Sequence, residues 1–263
     1  MVDSELHAML ASDERHWWYR GRRRILRAEL DRLELPPGAR ILDAGSGSGR
    51  TLDELATYGS AAGVDLSAAA VAAARARGHE DVRLGALERL PYPAERFDLV
   101  TCLDVLEHVP DDVAALREIR RVTRPGGRLL VTVPAYPLLW SAHDERNLHY
   151  RRYGWRALRD AAEAAGWEPV RTTHFNTLLL APAAAVRLAQ RAGFAPADGS
   201  DLERTSPALD RLLELPLRLE AELLRRGGRL PVGLSLLAVF AASRQSVRQP
   251  SPYGREHVAA SAA

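Results

Sequence analysis

Residues 40–67 read RILDAGSGSGRTLDELATYGSAAGVDLS: a short apolar run, a glycine-rich turn, a helical segment, and a second apolar run ending in Asp65. This is the order of a βαβ unit, in which a tight turn and a helix N-terminus lie beside a nucleotide-like ligand. An acidic side chain about 20 residues on then accepts from ribose hydroxyls. Glycine spacing narrows the ligand. A dinucleotide site uses G-x-G-x-x-G, whose third glycine lets the helix pack close while the pyrophosphate sits over its N-terminus. Counted from Gly45 and Gly47, that third position is Arg50, and the last glycine is Gly49. Asp43 leads the turn from the end of the first strand. A carboxylate there repels a pyrophosphate and suits a ligand carrying an ammonium or sulfonium group.

Further landmarks follow in order. Residues 87–112 read LERLPYPAERFDLVTCLDVLEHVPDD, and residues 115–134 read ALREIRRVTRPGGRLLVTVP. With the glycine turn they resemble the third loop, fourth strand, LEHV turn, Pro-Gly-Gly turn and fifth strand of the class I S-adenosylmethionine-dependent methyltransferases. The resemblance is good over residues 40–165 and looser on the flanks, and the motif set is most similar to the quinone-biosynthesis type. It implies an α/β, Rossmann-like seven-stranded mixed sheet with helices on both faces, and S-adenosyl-L-methionine as cofactor. It also implies Asp43, Gly45, Ser46, Gly47 and Gly49 around the methionine part, Asp65 and Leu66 at the ribose edge, and Leu87 offering its backbone to adenine. Leu103 and Asp104 are expected near the methyl group. Where the family usually has an acid for the adenine amino group, this chain has Ala86. Either Glu88 substitutes, or backbone and apolar contacts hold the ring. A nicotinamide enzyme would need a glycine where Arg50 stands.

A chain of 263 residues with 46% hydrophobic content fits one α/β domain with additions. The formal net charge is +2, and with no lysine in the chain every basic side chain apart from histidine is arginine. That balance gives no strongly basic face, so no nucleic-acid partner is expected. The single cysteine, Cys102, falls in the fourth strand and excludes a disulfide framework. No secretory signal is read at the N-terminus, and the apolar stretches 178–186 and 230–242 are short of the roughly 20 residues that cross a bilayer. A cytoplasmic location is expected, with peripheral membrane contact left open. Oligomeric state is not readable.

Apolar periodicity predicts helix over 4–35, stopped by Pro36, Pro37 and Gly38, and then helices over 50–58, 68–77, 111–123 and 154–165. Strands are predicted to end at Asp65 and over 81–84, 97–103, 128–134 and 168–175, with the last at 234–241. Between the sixth and seventh strands lie about fifty residues, read as an apolar helix over 178–191, a polar linker over 193–207 and an amphipathic helix over 209–226. The expected organisation is an N-terminal helical cap (1–38), a cofactor-binding core (39–176), a helical insertion (177–229), a last core strand (230–243) and a disordered tail (244–263). The insertion helices are apolar on one side, through Leu178, Leu179, Leu180, Val186 and Leu188 in one and Leu212, Leu213, Leu217, Leu219, Leu223 and Leu224 in the other. Packed together over the carboxyl edge of the sheet, they would wall a greasy acceptor site, form a dimer face, or satisfy each other as a hairpin.

Methyl transfer from a sulfonium is a direct displacement, so the protein aligns the acceptor and removes a proton where the acceptor is an alcohol or amine. His108 follows the fourth strand at the carboxyl edge, where open α/β sheets bind ligands, or else braces its turn with Glu107. Residues 134–155, PAYPLLWSAHDERNLHYRRYGW, gather Trp140, His143, His149, Arg151, Arg152 and Tyr153 without core-like periodicity. His143 and His149 join His108 as candidate proton acceptors. Arg151 and Arg152 are candidate clamps for an anionic group. Trp140 and Tyr153 line the acceptor site or close the core. Residues 16–27, HWWYRGRRRILR, join three aromatics to five arginines. This segment, with Trp18 and Tyr19 toward the acceptor, is a lid over the reacting centre, a membrane-surface anchor, or a helix packed on the sheet. No metal ligand set is expected. The function expected is methylation at oxygen or carbon of a small apolar or lipid-linked acceptor. The alternative is a non-catalytic cofactor-binding protein that docks through its N-terminal helix and insertion.

Overall fold

The computed structural model describes residues 16–191 and 207–243. The predicted helical stretch 4–15, nearly all of the linker and the tail from 244 onward lie outside the described residues. The strands are β1 (Ala39–Ala44), β2 (Gly59–Asp65), β3 (Val82–Leu84), β4 (Phe97–Leu103), β5 (Thr123–Pro134), β6 (Trp167–Phe175) and β7 (Ser235–Ala242). They form one seven-stranded sheet in the order β3-β2-β1-β4-β5-β7-β6. β1 to β5 pair in parallel, and β7 runs antiparallel between β5 and β6. Helices α1 (Trp17–Leu30), α2 (Arg50–Leu55), α3 (Ala68–Ala76), α4 (Asp112–Val122), α5 (Ala142–Arg146), α6 (Trp155–Ala164), α7 (Thr177–Arg191) and α8 (Pro207–Arg225) surround it.

Alternation along the strands feeds two cores. Leu42, Val100, Cys102, Leu129, Val131 and Phe240 pack with α4 and α6 on one face, whereas Ile41, Leu99, Leu130, Leu237 and Val239 pack with α1, α2, α3 and α8 on the other. Near-continuous apolar strands are what a sheet buried on both faces requires. Cys102 is buried and unpaired, and burial pushes its thiol well up, so it behaves as an inert apolar group. Predicted boundaries are met within about three residues, apart from the end of the N-terminal helix, expected at 35 and found at Leu30, and the start of β5. That strand begins at Thr123, and the Pro-Gly-Gly run bulges out of the ladder between the pairs Phe97–Thr123 and Leu99–Arg128, with Gly126 at φ 78°.

The insertion does not close on itself as a hairpin. Its second helix, α8, packs along α1, because Gly21 removes the side chain that would hold the two backbones apart. A Cβ at Gly21 would stand 2.2 Å from Leu217 Cδ1 and 2.8 Å from its Cβ. In an exposed helix Gly→Ala stabilises by up to about 1 kcal/mol, so the sign of Gly21→Ala tests this packing. It is expected to lower the melting temperature in a thermal scan, by overpacking worth about 1–3 kcal/mol. α8 also meets α7 at one point, where buried Glu220 accepts from the backbone N–H groups of Asn176 (2.7 Å) and Thr177 (2.9 Å) and caps α7.

The arginines of α1 form ion pairs with acidic side chains of neighbouring elements, Arg24 and Arg27 while about half exposed. Arg20 (2.9 Å) and Arg24 (3.1 Å) pair with buried Glu214 of α8, Arg22 pairs with Asp104 (2.6 Å), and Arg27 and Arg23 meet Glu54. Burial alone would raise the Glu214 carboxyl, but hydrogen bonds from Arg218, Arg20 and Arg24 outweigh it and hold Glu214 below the usual range. All five arginines of α1 are thus counter-charged within the fold. Among the described residues, no helix is long and apolar enough to cross a membrane.

Candidate active site

The site begins where β1 ends. The chain turns through Gly45, Gly47 and Gly49 with φ values of 91°, 50° and 81°. A Cβ at Gly45 would lie 2.3 Å from Val105 Cγ2, so this bend admits only glycine. The turn is tied to β2: the Gly47 N–H donates to one Asp65 carboxylate oxygen at 2.8 Å, and the Ser67 N–H donates to the other at 2.9 Å. Both oxygens keep lone pairs for ribose hydroxyls.

Asp43 is 1% exposed and accepts from the Thr101 hydroxyl at 2.6 Å. Burial pushes its carboxyl up to about 7, and the Thr101 hydrogen bond and the Arg22 charge only partly oppose that. A buried carboxyl short of positive charge suits the ammonium or sulfonium of S-adenosylmethionine. Beside it the Ser46 hydroxyl oxygen is buried without a partner among the described residues. This donor set fits the cofactor that the turn resembles.

A cavity of about 1200 Å³ opens from the turn. Drug-sized ligands fill roughly 300–1,000 Å³, so it has room for a cofactor and a second molecule. Asp43, Gly45, Ser46, Gly47, Asp65 and Leu66 line one end, with Ala86, Leu87 and Glu88 beyond them. Leu103, Asp104 and Val105 form the floor. Trp18, Tyr19 and Arg22 of α1 close one side, and Leu179, Pro182, Ala183 and Val186 of α7 give an apolar wall. His108, His143, His149 and Arg152 line the far end. Asp104, Leu148 and Asn176, with φ of 56°, 55° and 61°, also line it, left-handed backbone of the kind that clusters at binding sites.

Asp144 organises the far end. It is fully buried at the start of α5 and accepts from the Ser141 N–H (2.8 Å) and Arg152 Nε (2.7 Å), while His149 Nδ1 lies 2.9 Å from the same oxygen as Arg152. Burial would raise this carboxyl, but the His149 and Arg152 hydrogen bonds outweigh it and hold it well below the usual range. Asp144 accepts from Nδ1 of His149, which turns Nε2 of that ring away from the carboxylate. The His108 ring lies 4.6 Å from that of His149, near perpendicular. Burial and then the His149 charge push His108 down to about 4, so it is neutral at physiological pH. Glu107 is 1% exposed and pushed up by burial and by Asp104.

Four sequence candidates stand off the cavity. Gly49 caps α2 behind the turn, where a Cβ would meet Ala74 at 2.9 Å. Trp140 hydrogen-bonds to Glu145 at 3.4 Å. Arg151 and Tyr153 both turn to Asp112, at 2.8 Å each, and Tyr153 is buried in the core. The connection is extended there, so residues 151 and 153 face one way and Arg152 the other. Arg22 and the buried oxygen of Glu107 were not singled out by sequence: one sits in a run of similar arginines, and the other depends on a distant loop.

Residues 42–131 match the family model described as a methyltransferase domain. The chain is 37% identical over 147 residues to a demethylmenaquinone methyltransferase of Mycobacterium tuberculosis, covering 54% of this chain and 59% of that protein. It is 38% identical over 146 residues to a ubiquinone biosynthesis O-methyltransferase of Xanthomonas oryzae pv. oryzae, covering 49% of this chain and 60% of that one. The match thus spans under two thirds of these curated relatives. The fold is similar to a chain of the complex between the Haloferax volcanii Trm112 methyltransferase activator and a methyltransferase, with TM-score 0.61, 20% identity and coverage of 93% of this chain and 96% of that one. With the glycine turn, Asp43, Asp65 and the sheet order in the same chain, residues 42–131 form a domain similar to the methyltransferase family model, within the fold of the class I S-adenosylmethionine-dependent methyltransferases.

Proposed function

We propose that this chain transfers a methyl group from S-adenosylmethionine to an oxygen or carbon atom of a small apolar or lipid-linked acceptor. The observation that carries this reading is a single cavity joining the Asp43–Asp65 turn to the histidines of the far end and the apolar wall of α7. The cofactor, when bound, supplies a methyl group on a positively charged sulfur. Asp43 attracts its positive end, Asp65 orients its ribose, and the Leu87 backbone faces its adenine. Trp18 and Tyr19 exclude water from the reacting atoms. Where the acceptor is a hydroxyl, its proton leaves at the far end of the cavity, beside the His108 and His149 rings. His143, 6.2 Å from His149 between ring centres, stands one step further out. Arg152 takes the substrate-facing role, and Arg151 does not share it.

The names of the two relatives support a quinone-like acceptor. The test is transfer of labelled methyl to quinols that carry isoprenoid tails of increasing length. The expected result is a kcat/KM that rises at least tenfold from the tailless to the tailed acceptor. Transfer to none of the panel, or indifference to the tail, overturns the reading.

Contact with a lipid surface is favoured by one feature. Leu212, Leu215, Leu219 and Leu223 are all exposed and follow one stripe of α8. Flotation with vesicles is expected to carry the chain upward, and Leu212→Glu with Leu219→Glu to abolish it. A parent chain that stays unbound removes this contact. The non-catalytic docking alternative loses its footing, because the arginines that would carry it are paired with Glu54, Asp104 and Glu214.

A further inference from the structure

We propose that Glu107, His108 and His149 bind one divalent transition-metal ion of the zinc type at the acceptor end of the cavity. The proposal deepens the methyltransferase reading and rests on it, since the ion's task is to hold an oxygen of the acceptor. One ligand atom from each residue, a carboxylate oxygen and two ring nitrogens, lie within 4.8 Å of one another. Bonds of about 2.0–2.2 Å to a common centre place such atoms roughly 3–4 Å apart, so small side-chain rotations close the set. Glu107, which lines the cavity, is 1% exposed and its Oε2 has no partner among the described residues. A buried carboxyl in that position calls for a cation or a hydrogen-bond partner.

Asp144 adds the support that metal-bound histidines have. It holds Nδ1 of His149 at 2.9 Å and is itself anchored by Arg152 and the Ser141 N–H, so the ring is fixed with its other nitrogen free. Two imidazoles and one carboxylate form a donor set that takes zinc while leaving coordination positions open. Those positions face the same cavity as the cofactor turn. A phenolic or enolic hydroxyl placed there would be acidified by the ion: its proton would pass to water, and the oxygen's electron pair would form the bond to the methyl carbon as the carbon–sulfur bond breaks with its pair going to sulfur. The ion's charge does not change. An acceptor with two neighbouring oxygens would chelate it, which favours O-methylation beside a second oxygen function.

The full chain, stripped with a chelator and desalted, is titrated with CoCl2 and followed by visible d–d absorption. S-adenosylhomocysteine titration by calorimetry runs alongside. One Co²⁺ per chain is expected, displaced by ZnCl2, with affinity at least tenfold lower in His108→Gln and in His149→Gln. Asp144→Asn is expected to weaken binding about tenfold to a hundredfold. The isosteric Glu107→Gln serves where a histidine variant no longer binds S-adenosylhomocysteine. No band in the parent, or equal Co²⁺ affinity in parent and variants that still bind S-adenosylhomocysteine, overturns the site. That result leaves the methyltransferase reading standing, whereas a parent that fails to bind S-adenosylhomocysteine removes the latter by itself.

Discussion

Asp43→Asn is expected to weaken S-adenosylmethionine binding at least a hundredfold while raising the melting temperature of the ligand-free chain above pH 7. Both effects come from the same burial. In the folded chain the Asp43 carboxyl titrates at about 7 instead of 3.8, chiefly because it is out of water. Between those values the folded state holds a proton that the unfolded state has released, so stability falls as pH rises through the window. Above it the full penalty is in force, on the order of 4 kcal/mol at about 1.4 kcal/mol per unit. Asparagine carries no charge and escapes the penalty, and its carbonyl oxygen can still accept from Thr101. It also cannot attract a cation. The parent should bind S-adenosylmethionine about tenfold more tightly at pH 8 than at pH 6, because only ionised Asp43 attracts the cofactor's positive end. The variant should be flat over that range. Thermal scans and calorimetry at the two pH values read all three quantities.

Asp144→Ala carries the second large effect, on stability. Arg152, with its side chain 4% exposed, pairs with an Asp144 that is fully buried. Removing the carboxylate leaves a buried guanidinium without a counter-charge, a change that costs about 3–5 kcal/mol. Denaturant unfolding should show it at neutral pH. The linkage has the opposite sign from that at Asp43. Asp144 is held below its ordinary value, so its contribution is present above about pH 4 and fades as pH falls through the lowered native value. The variant should therefore lose part of the parent's acid-limb slope. Cofactor affinity of the folded variant should stay within a few fold of the parent, because the glycine turn and Asp65 belong to other elements. Loss of cofactor binding in a folded variant would contradict this division of the cavity.

The turn that forms the candidate cofactor half of the site was legible in the sequence because it is local. Asp43, the three glycines and Asp65 lie within 23 residues, and their spacing encodes the backbone conformation directly. The strands were legible for the same reason: each is a short apolar run bounded by glycine or proline. The acceptor half was not. Glu107 and His108 meet His149 only because the connection after β5 folds back across the sheet edge, a contact over some forty residues that no spacing rule registers. Arg151 and Arg152 are adjacent and identical, so which one faces inward depends on the phase of an extended segment fixed by the bridge from Ala135 to Tyr153. The partner of α8 was hidden too. An amphipathic stripe says that a helix packs, and only the missing side chain at Gly21 says where.

Every other assignment depends on the Asp43–Asp65 turn being a site for a sulfonium nucleoside. Calorimetric titration of the full chain at pH 8 with S-adenosylmethionine, S-adenosylhomocysteine and NADH tests it most directly. Saturable one-to-one binding of the first two and no heat from the third is the predicted result. A chain that takes up NADH and leaves both sulfur nucleosides unbound contradicts it.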